Sequence, residues 1–294
     1  MTDDSASVSG TAEPGDAAEP GDAAHTGIDA SVPHSARIWN YWLGGKDNYA
    51  IDREVGDDFL AIFPGQGDIA RYSRSFLWRA VRFLAGAAGI RQFLDIGTGL
   101  PTADNTHEVA QRVAPESRIV YVDNDPLVLV HARALLTSDP RGATAYIDAD
   151  LHDPDKILAG AAGTLDFSQP VAVIMLGILG HIPDSDDPGQ IVARIVDGLA
   201  PGSYVVINDG TNVLWDGSAG APAEDSARAR AIARYAAASG APYNLRTPEQ
   251  IEGFFAGLEL VEPGVVSVSQ WRAEAGPDGP PPQVDAFSGV ARKL

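Results

Sequence analysis

From residue 91 onward, short apolar runs alternate with longer amphipathic stretches. The runs RQFLDI, RIVYVD, ATAYID, VAVIML and SYVVIN have the length and β-branched content of strands. VAVIML is apolar without interruption, which predicts a central strand covered on both faces. Between the runs the spacing predicts helices. One spans 102 to 113, with Ala103, Thr106, Ala110 and Val113 on one face. A second opens at Asp125-Pro126, an N-cap followed by proline at the first helical position. Others cover 153 to 161 and 188 to 199. Strands separated by helices in this rhythm imply right-handed crossovers and a doubly wound, mostly parallel α/β sheet. After SYVVIN the rhythm breaks. Residues 211 to 246 read as a cap insertion with a helix near 225 to 238, and Thr247-Pro248-Glu249-Gln250 is a capping box opening a helix through Phe255. The stretches GVVSVSQWR and AFSGVARKL, joined by the Pro/Gly-rich loop 273 to 285, predict a closing antiparallel hairpin.

Upstream, residues 31 to 90 form a separate helical or lid segment. PHSARIWNYWLGGKDNYAID is aromatic and polar, and YSRSFLWRAVRFLAGAAG reads as an amphipathic helix ending at Gly89. Residues 1 to 30 repeat AEPGDA and hold seven acids and no Lys or Arg, which predicts a disordered acidic tail.

Composition narrows the function. The chain has 294 residues, 45% of them hydrophobic, enough for a substantial core. No apolar run approaches the ~20 residues that span a bilayer, and the N-terminus lacks a secretory pattern, so a cytoplasmic location is expected. The formal charge is -19, of which the tail carries -7 and the rest -12. Such a surface repels nucleic acid and anionic membranes. There is no cysteine, and the six histidines show no metal-ligand spacing, so no bound metal is expected.

The informative stretch is RQFLDIGTGLPTADN, residues 91 to 105. Gly97-Thr98-Gly99 starts like a dinucleotide loop, but Pro101 and Thr102 stand where G-x-G-x-x-G would close. Asp95 sits two residues before the first glycine. A carboxylate there opposes a pyrophosphate on the helix N-terminus. It favours S-adenosylmethionine, which has no phosphate and carries a sulfonium and an ammonium. Asp123, at the end of the second strand, is placed to accept from both ribose hydroxyls. Asp148 and Asp150 end the third strand. Asp150-Leu151 is the better placed pair, with the acid toward the adenine amino group and the leucine against the ring.

FLDIGTGLPT, IVYVDNDPLV, YIDADLHDP and MLGILGHIPD resemble the successive cofactor motifs of class I S-adenosylmethionine-dependent methyltransferases. ARIWNYWLGGKDNYAIDREVGD and LRTPEQIEGFFAGLELVEPGVV further resemble a bacterial S-adenosyl methyltransferase family first catalogued as a domain of unknown function. The resemblance covers about residues 33 to 294. It implies a seven-stranded Rossmann-like sheet with a reversed last strand, and S-adenosylmethionine as cofactor. It carries Asp95, Gly97 and Gly99 to the methionine part, Asp123 to the ribose, and Asp150 to the adenine; Thr98, Asn124 and Leu151 are further expected cofactor contacts. Leu176 and Gly177 belong to the fourth motif. Pro101 departs from the superfamily pattern, which has glycine there.

The expected reaction is methyl transfer to a small or mid-sized organic acceptor, at oxygen rather than nitrogen. His181 and Asp209, after the fourth and fifth strands, are the candidate bases. Trp39, Tyr41 and Trp42 are expected to wall the pocket, with Lys46 and Asn48 reaching the cofactor. Trp215, Tyr235, Tyr243 and Arg246 are expected opposite them. Two other readings stay open: a non-catalytic S-adenosylmethionine-binding regulator and an NAD-dependent oxidoreductase. The oligomeric state is not legible.

Overall fold

The computed structural model describes residues 29 to 102, 104 to 128, 130, 138 to 214, 226 to 277 and 279 to 294. Five parallel strands, β1 (Gln92–Ile96), β2 (Arg118–Asp123), β3 (Ala143–Asp148), β4 (Ala172–Leu176) and β5 (Tyr204–Gly210), stand in the order β3-β2-β1-β4-β5. Two short strands, β6 (Glu259–Leu260) and β7 (Val266–Ser267), and the long β8 (Ala286–Arg292) complete the sheet. β8 runs antiparallel to β5 along its whole length, from Tyr204 opposite Arg292 to Gly210 opposite Ala286. β6 and β7 both pair with the free side of β8, at Leu260–Ala291 and Ser267–Phe287. The eight strands therefore occupy the seven expected positions, with the edge position divided in two. The sequence predicts β7 and β8 as a hairpin. It does not predict β6, because two residues carry no readable alternation.

Successive strand residues face opposite sides, so a strand buried on both sides is apolar throughout. Leu94, Ile96, Val120, Val122, Val173 and Met175 face one layer, which includes α5 (Pro154–Ala161), α6 (Pro188–Asp197) and α8 (Pro248–Gly253). Phe93, Ile119, Tyr121, Ile174 and Val206 face the other, formed by α3 (Gln66–Gly86) and α4 (Thr106–Val113). Arg79 on α3 donates to the carbonyls of Val268 and Trp271, at 2.6 and 2.7 Å, and Trp271 is fully buried against Phe76. These contacts bind the C-terminal hairpin to the long helix.

The helix predicted over 102 to 113 starts later, at Thr106. Asp104 has a φ of 58°, and Asn105 caps α4 in a capping box with Glu108. Its buried face runs through Val109 and Ala110, while Val113 is 43% exposed. Ala103 lies outside the described residues, as do residues 1 to 28 of the tail.

The N-terminal segment forms α1 (Ser35–Trp42) and α2 (Ala50–Ile62), which pack against α7 (Ala227–Ser239) from the insertion. Ile38, Val55, Phe59, Ala231 and Tyr235 form that small core. A buried ion pair, Arg37–Asp52 at 2.8 Å, locks α1 to α2. Asp52 also accepts from the backbone N–H groups of His34 and Tyr49.

Candidate active site

Strand order reverses between β1 and β4, and ligands of open α/β sheets bind beyond the carboxyl ends at such a point. A cavity of about 410 Å³ lies there, walled by the strand ends and by α1, α2, α3 and α7.

At its centre, β1 turns through Gly97-Thr98-Gly99. Gly97 has a φ of 71°, and a Cβ on it would stand 2.7 Å from Cγ1 of Ile178, so both conformation and packing require glycine. Gly99, with a φ of 64°, faces open space. The chain then buries Leu100 against Leu127 and Val128 before α4 begins. The first turn of α4 is closed by the protein's own acids. Glu108 accepts from the Asn105 N–H at 2.7 Å, and Asp95 accepts from the Thr106 hydroxyl at 2.6 Å. A pyrophosphate would meet carboxylates where a dinucleotide loop presents N–H groups.

Asp95 is 7% exposed. Burial raises its carboxyl to about 6, although the Thr106 hydrogen bond and the Arg74 guanidinium pull the other way. Asp123 accepts from the N–H of Gly99 at 2.9 Å and of Asp125 at 3.0 Å, which ties together the loops after β1 and β2; burial raises its pKa as well. Asp125 pairs with His34 at 3.0 Å, joining the N-terminal segment to the second loop. At the third strand end, Leu151 is buried, and Asp150 accepts from Asn124 at 3.0 Å and from the His152 ring at 2.6 Å. Asn124, Leu176 and Gly177 also line the cavity.

His181 stands on a short turn after β4. Its Nδ1 donates to the Pro242 carbonyl at 3.0 Å, so Nε2 is the unprotonated nitrogen of the neutral ring. Burial depresses its pKa. Asp209 is fully engaged. It accepts from the Tyr243 hydroxyl, from the N–H of Gly210 at 3.0 Å and from Arg246 at 3.1 Å. Burial raises its pKa against these bonds. Arg246 also donates to the carbonyls of Leu179 and Ile182, each at 2.8 Å, and lies behind the wall. Tyr243 is in the wall, its ring so close to Gly180 that a Cβ there would come within 2.2 Å.

The N-terminal segment divides. Trp39 and Trp42 line the cavity. Tyr41 points away and donates to Asp57 at 2.6 Å. Lys46 is exposed, and Asn48 donates to Asn40 and to the Gly45 carbonyl, both at 3.0 Å, building the turn. Tyr41, Lys46, Asn48 and Arg246 are thus absent from the cavity wall, and Trp215 lies outside the described residues.

The wall also contains residues that the sequence did not single out, notably Gln66, Ser73, Arg74, Asn208 and Arg228. Gln66, Ile69, Ser73 and Leu77 repeat at helical spacing along α3. Polar residues inside that apolar stripe are the available signal. Buried Gln66 Oε1, Asn208 Nδ2 and Arg228 Nε have no hydrogen-bond partner. Orphaned polar atoms around a cavity call for a polar ligand.

Comparison with known proteins decides the family. The profile described as S-adenosyl methyltransferase matches residues 21 to 294. The chain belongs to the S-adenosyl methyltransferase family. This methyltransferase is similar to a DUF574 family protein from Streptomyces avermitilis, with 44% identity, a TM-score of 0.84, and coverage of 90% of this chain and 99% of that one. It is also similar to a candidate methyltransferase from Thermobifida fusca, with 42% identity, a TM-score of 0.79, and coverage of 91% and 97%. No curated protein matches the chain. The enzyme is an S-adenosylmethionine-dependent methyltransferase with a Rossmann-like fold. Its residues fit that cofactor: an open glycine loop, a buried carboxylate beside it for a cationic end, and an α4 N-cap N–H already taken by Glu108. Among the described residues, no group of acids and histidines has metal-site geometry, and no helix is long and apolar enough to cross a membrane.

Proposed function

We propose that this methyltransferase acts at oxygen on a small or mid-sized organic acceptor. The methionine end of the cofactor is held by Asp95 and the Gly97-Thr98-Gly99 loop, with Arg74 beside Asp95 for the cofactor carboxylate. Asp123 and Asn124 take the ribose. Leu151 takes the adenine face, and Asp150 its amino group. Leu176 and Gly177 form the floor toward the acceptor. Buried Asp95 carries this assignment: it is an acid whose ionisation burial resists, set at an open loop, and a cation is the ligand that relieves it.

When bound, S-adenosylmethionine supplies an electrophilic methyl carbon and leaves as S-adenosylhomocysteine. The protein aligns the acceptor and excludes water, a role that suits Trp39 and Trp42. Neutral His181 supports oxygen as the acceptor atom. A hydroxyl needs a base as it is methylated, and Nε2 holds the proton it loses. Asp209, bonded by Tyr243 and Arg246, orients Tyr243 instead of acting as a second base. Calorimetric titration tests the site. S-adenosylmethionine and S-adenosylhomocysteine should bind, and NAD far more weakly. NAD binding as tightly as S-adenosylhomocysteine would overturn the assignment. Mass spectrometry of products from paired hydroxyl and amine acceptors tests the transfer atom.

A further inference from the structure

Arg228, near the start of α7, is a charged group in the cavity wall that the reading above leaves without a role. It is 4% exposed. Nη1 donates to the backbone carbonyls of Thr211 and Asp285, which fixes the guanidinium in place. Nε has no partner, and Nη2 donates to no described residue. Nor does Arg228 form an ion pair among the described residues. The two acids whose charge it feels are engaged elsewhere. Asp209 is held by Tyr243, Gly210 and Arg246, and Asp285 accepts from the N–H groups of Val213 and Leu214, each at 2.9 Å.

An unpaired buried guanidinium is costly unless a ligand completes it. Nε and Nη2 form one edge of the planar fork, and that edge matches the two oxygens of a carboxylate. The cofactor's own carboxylate is the wrong partner. Nη2 lies beside Gly210, 2.9 Å from where its Cβ would be, at the end of β5. β5 is two strands from β1, across β4, or roughly 10 Å at the usual strand spacing. Arg74 already stands beside Asp95 at the methionine end. The cavity that Arg228 shares is lined by Trp42, Phe59, Ile232 and Tyr235 as well as by Tyr243, and the Phe63 ring lies 5.5 Å from the guanidinium carbon.

We propose that Arg228 binds the carboxylate of the methyl acceptor, so that the substrate is a hydroxyl-bearing carboxylic acid with an apolar, ring-sized body. This rests on the methyltransferase site assigned above and names its substrate class.

The test uses the full chain saturated with S-adenosylhomocysteine. Hydroxylated benzoates, phenylacetates and cinnamates are titrated, each against its primary amide, which has the same shape without the charge. At least one acid should bind, with its amide about tenfold weaker, the size expected for loss of a charge-assisted contact. Arg228→Gln should abolish that difference and keep S-adenosylhomocysteine affinity. Arg228→Lys, which retains charge without the fork and is the safer variant if the first does not fold, should retain only part of it. Acids and amides binding alike, or neither binding, would overturn the proposal. So would a loss of S-adenosylhomocysteine affinity in Arg228→Gln, which would place the arginine on the cofactor. Failure of the native chain to bind S-adenosylhomocysteine would instead sink the underlying site, and the proposal with it.

Discussion

The two ends of the cavity are built in different ways. At the β1–β3 end, most of the wall follows its strands within a few positions: Gly97 after β1, Asn124 after β2, Asp150 and Leu151 after β3, with Arg74 of α3 added beside Asp95. Parallel topology alone delivers them to one edge. At the β5 end, the wall combines Trp39 and Trp42 with Arg228, Tyr235 and Tyr243, brought from far apart in the chain. They meet only because α1, α2 and α7 share a core and because Asp209 gathers Tyr243 and Arg246. Substitutions at the first end should therefore act on cofactor binding, and those at the second on stability and acceptor choice.

The largest loss of stability is expected at Asp209. Asp209→Ala leaves the buried Arg246 without its buried counter-charge and Tyr243 without its acceptor. Breaking such a pair costs about 3 kcal/mol, the lower end of the usual range because Arg246 keeps other partners. Urea unfolding measures this. Full stability in the variant would break the contrast drawn between the two ends.

Next is His181. His181→Asn should lower kcat by roughly 10²–10⁴-fold, the usual contribution of a general base, with stability nearly unchanged. Because burial depresses the imidazole below its ordinary 6.5, the base stays available as pH falls past that value. The acid limb of the kcat profile should therefore lie below pH 6.5 and vanish in the variant. An acid limb at or above 6.5 would remove His181 from the chemistry.

Asp95, like Asp209, has its pKa raised by burial. Its folded-state pKa is raised from 3.8 to about 6, so its contribution to stability is present below pH 3.8 and lost as pH rises through about 6. Asp95→Asn should thus stabilise the ligand-free protein at pH 7, by on the order of 3 kcal/mol, with no gain near pH 3.8. It should also weaken S-adenosylhomocysteine binding, and native binding should fall as pH drops through about 6. A variant more stable and equally tight would show that Asp95 meets no cationic group. Asp123→Ala should be milder, costing about 1–3 kcal/mol of cofactor affinity for lost hydroxyl contacts. Part of any stability loss there would come from Gly99 and Asp125, whose N–H groups it accepts.

The same contrast explains what was legible in the sequence. The strand–helix alternation, the closing hairpin and the cofactor edge follow from local apolar runs and from residues that punctuate them, and the reversed last strand follows from the family resemblance. Asp95 before Gly97 is readable because chemistry at a strand end needs no distant partner. Arg228 is not, because an arginine in ARARAIARY looks like a solvated helix residue until α7 packs against α2 and buries it. Arg246 looks like a pocket residue by sequence, yet it turns to the carbonyls of Leu179 and Ile182. Burial of charge is decided by tertiary packing, and a single sequence shows only the charge.

The smallest effect sharpens the comparison within one segment. The segment from Ala36 to Asn48 was expected to close over the cavity, with Trp39, Tyr41, Trp42, Lys46 and Asn48 facing it, yet only some of these residues do so. Trp39 and Trp42 lie on the cavity side of α1, while Lys46 is exposed beyond the Gly44-Gly45 turn. That turn is held by Asn40, whose side chain would be 2.4 Å from a Cβ on Gly45, and by Asn48. Asn48→Ala should cost about 1 kcal/mol of stability, the usual worth of a side-chain hydrogen bond, and leave S-adenosylhomocysteine affinity unchanged. Lys46→Ala should stay within about 0.5 kcal/mol in both, as exposed substitutions do. Trp39→Ala should instead impair turnover more than folding. If the segment closes over bound cofactor, amide exchange at 46 to 48 will slow on adding S-adenosylhomocysteine, and Lys46→Ala will lose affinity. Protection that is complete without ligand, together with a neutral Lys46→Ala, means that α1 is a fixed wall and that, of residues 39 to 48, the tryptophans are the part that belongs to the site.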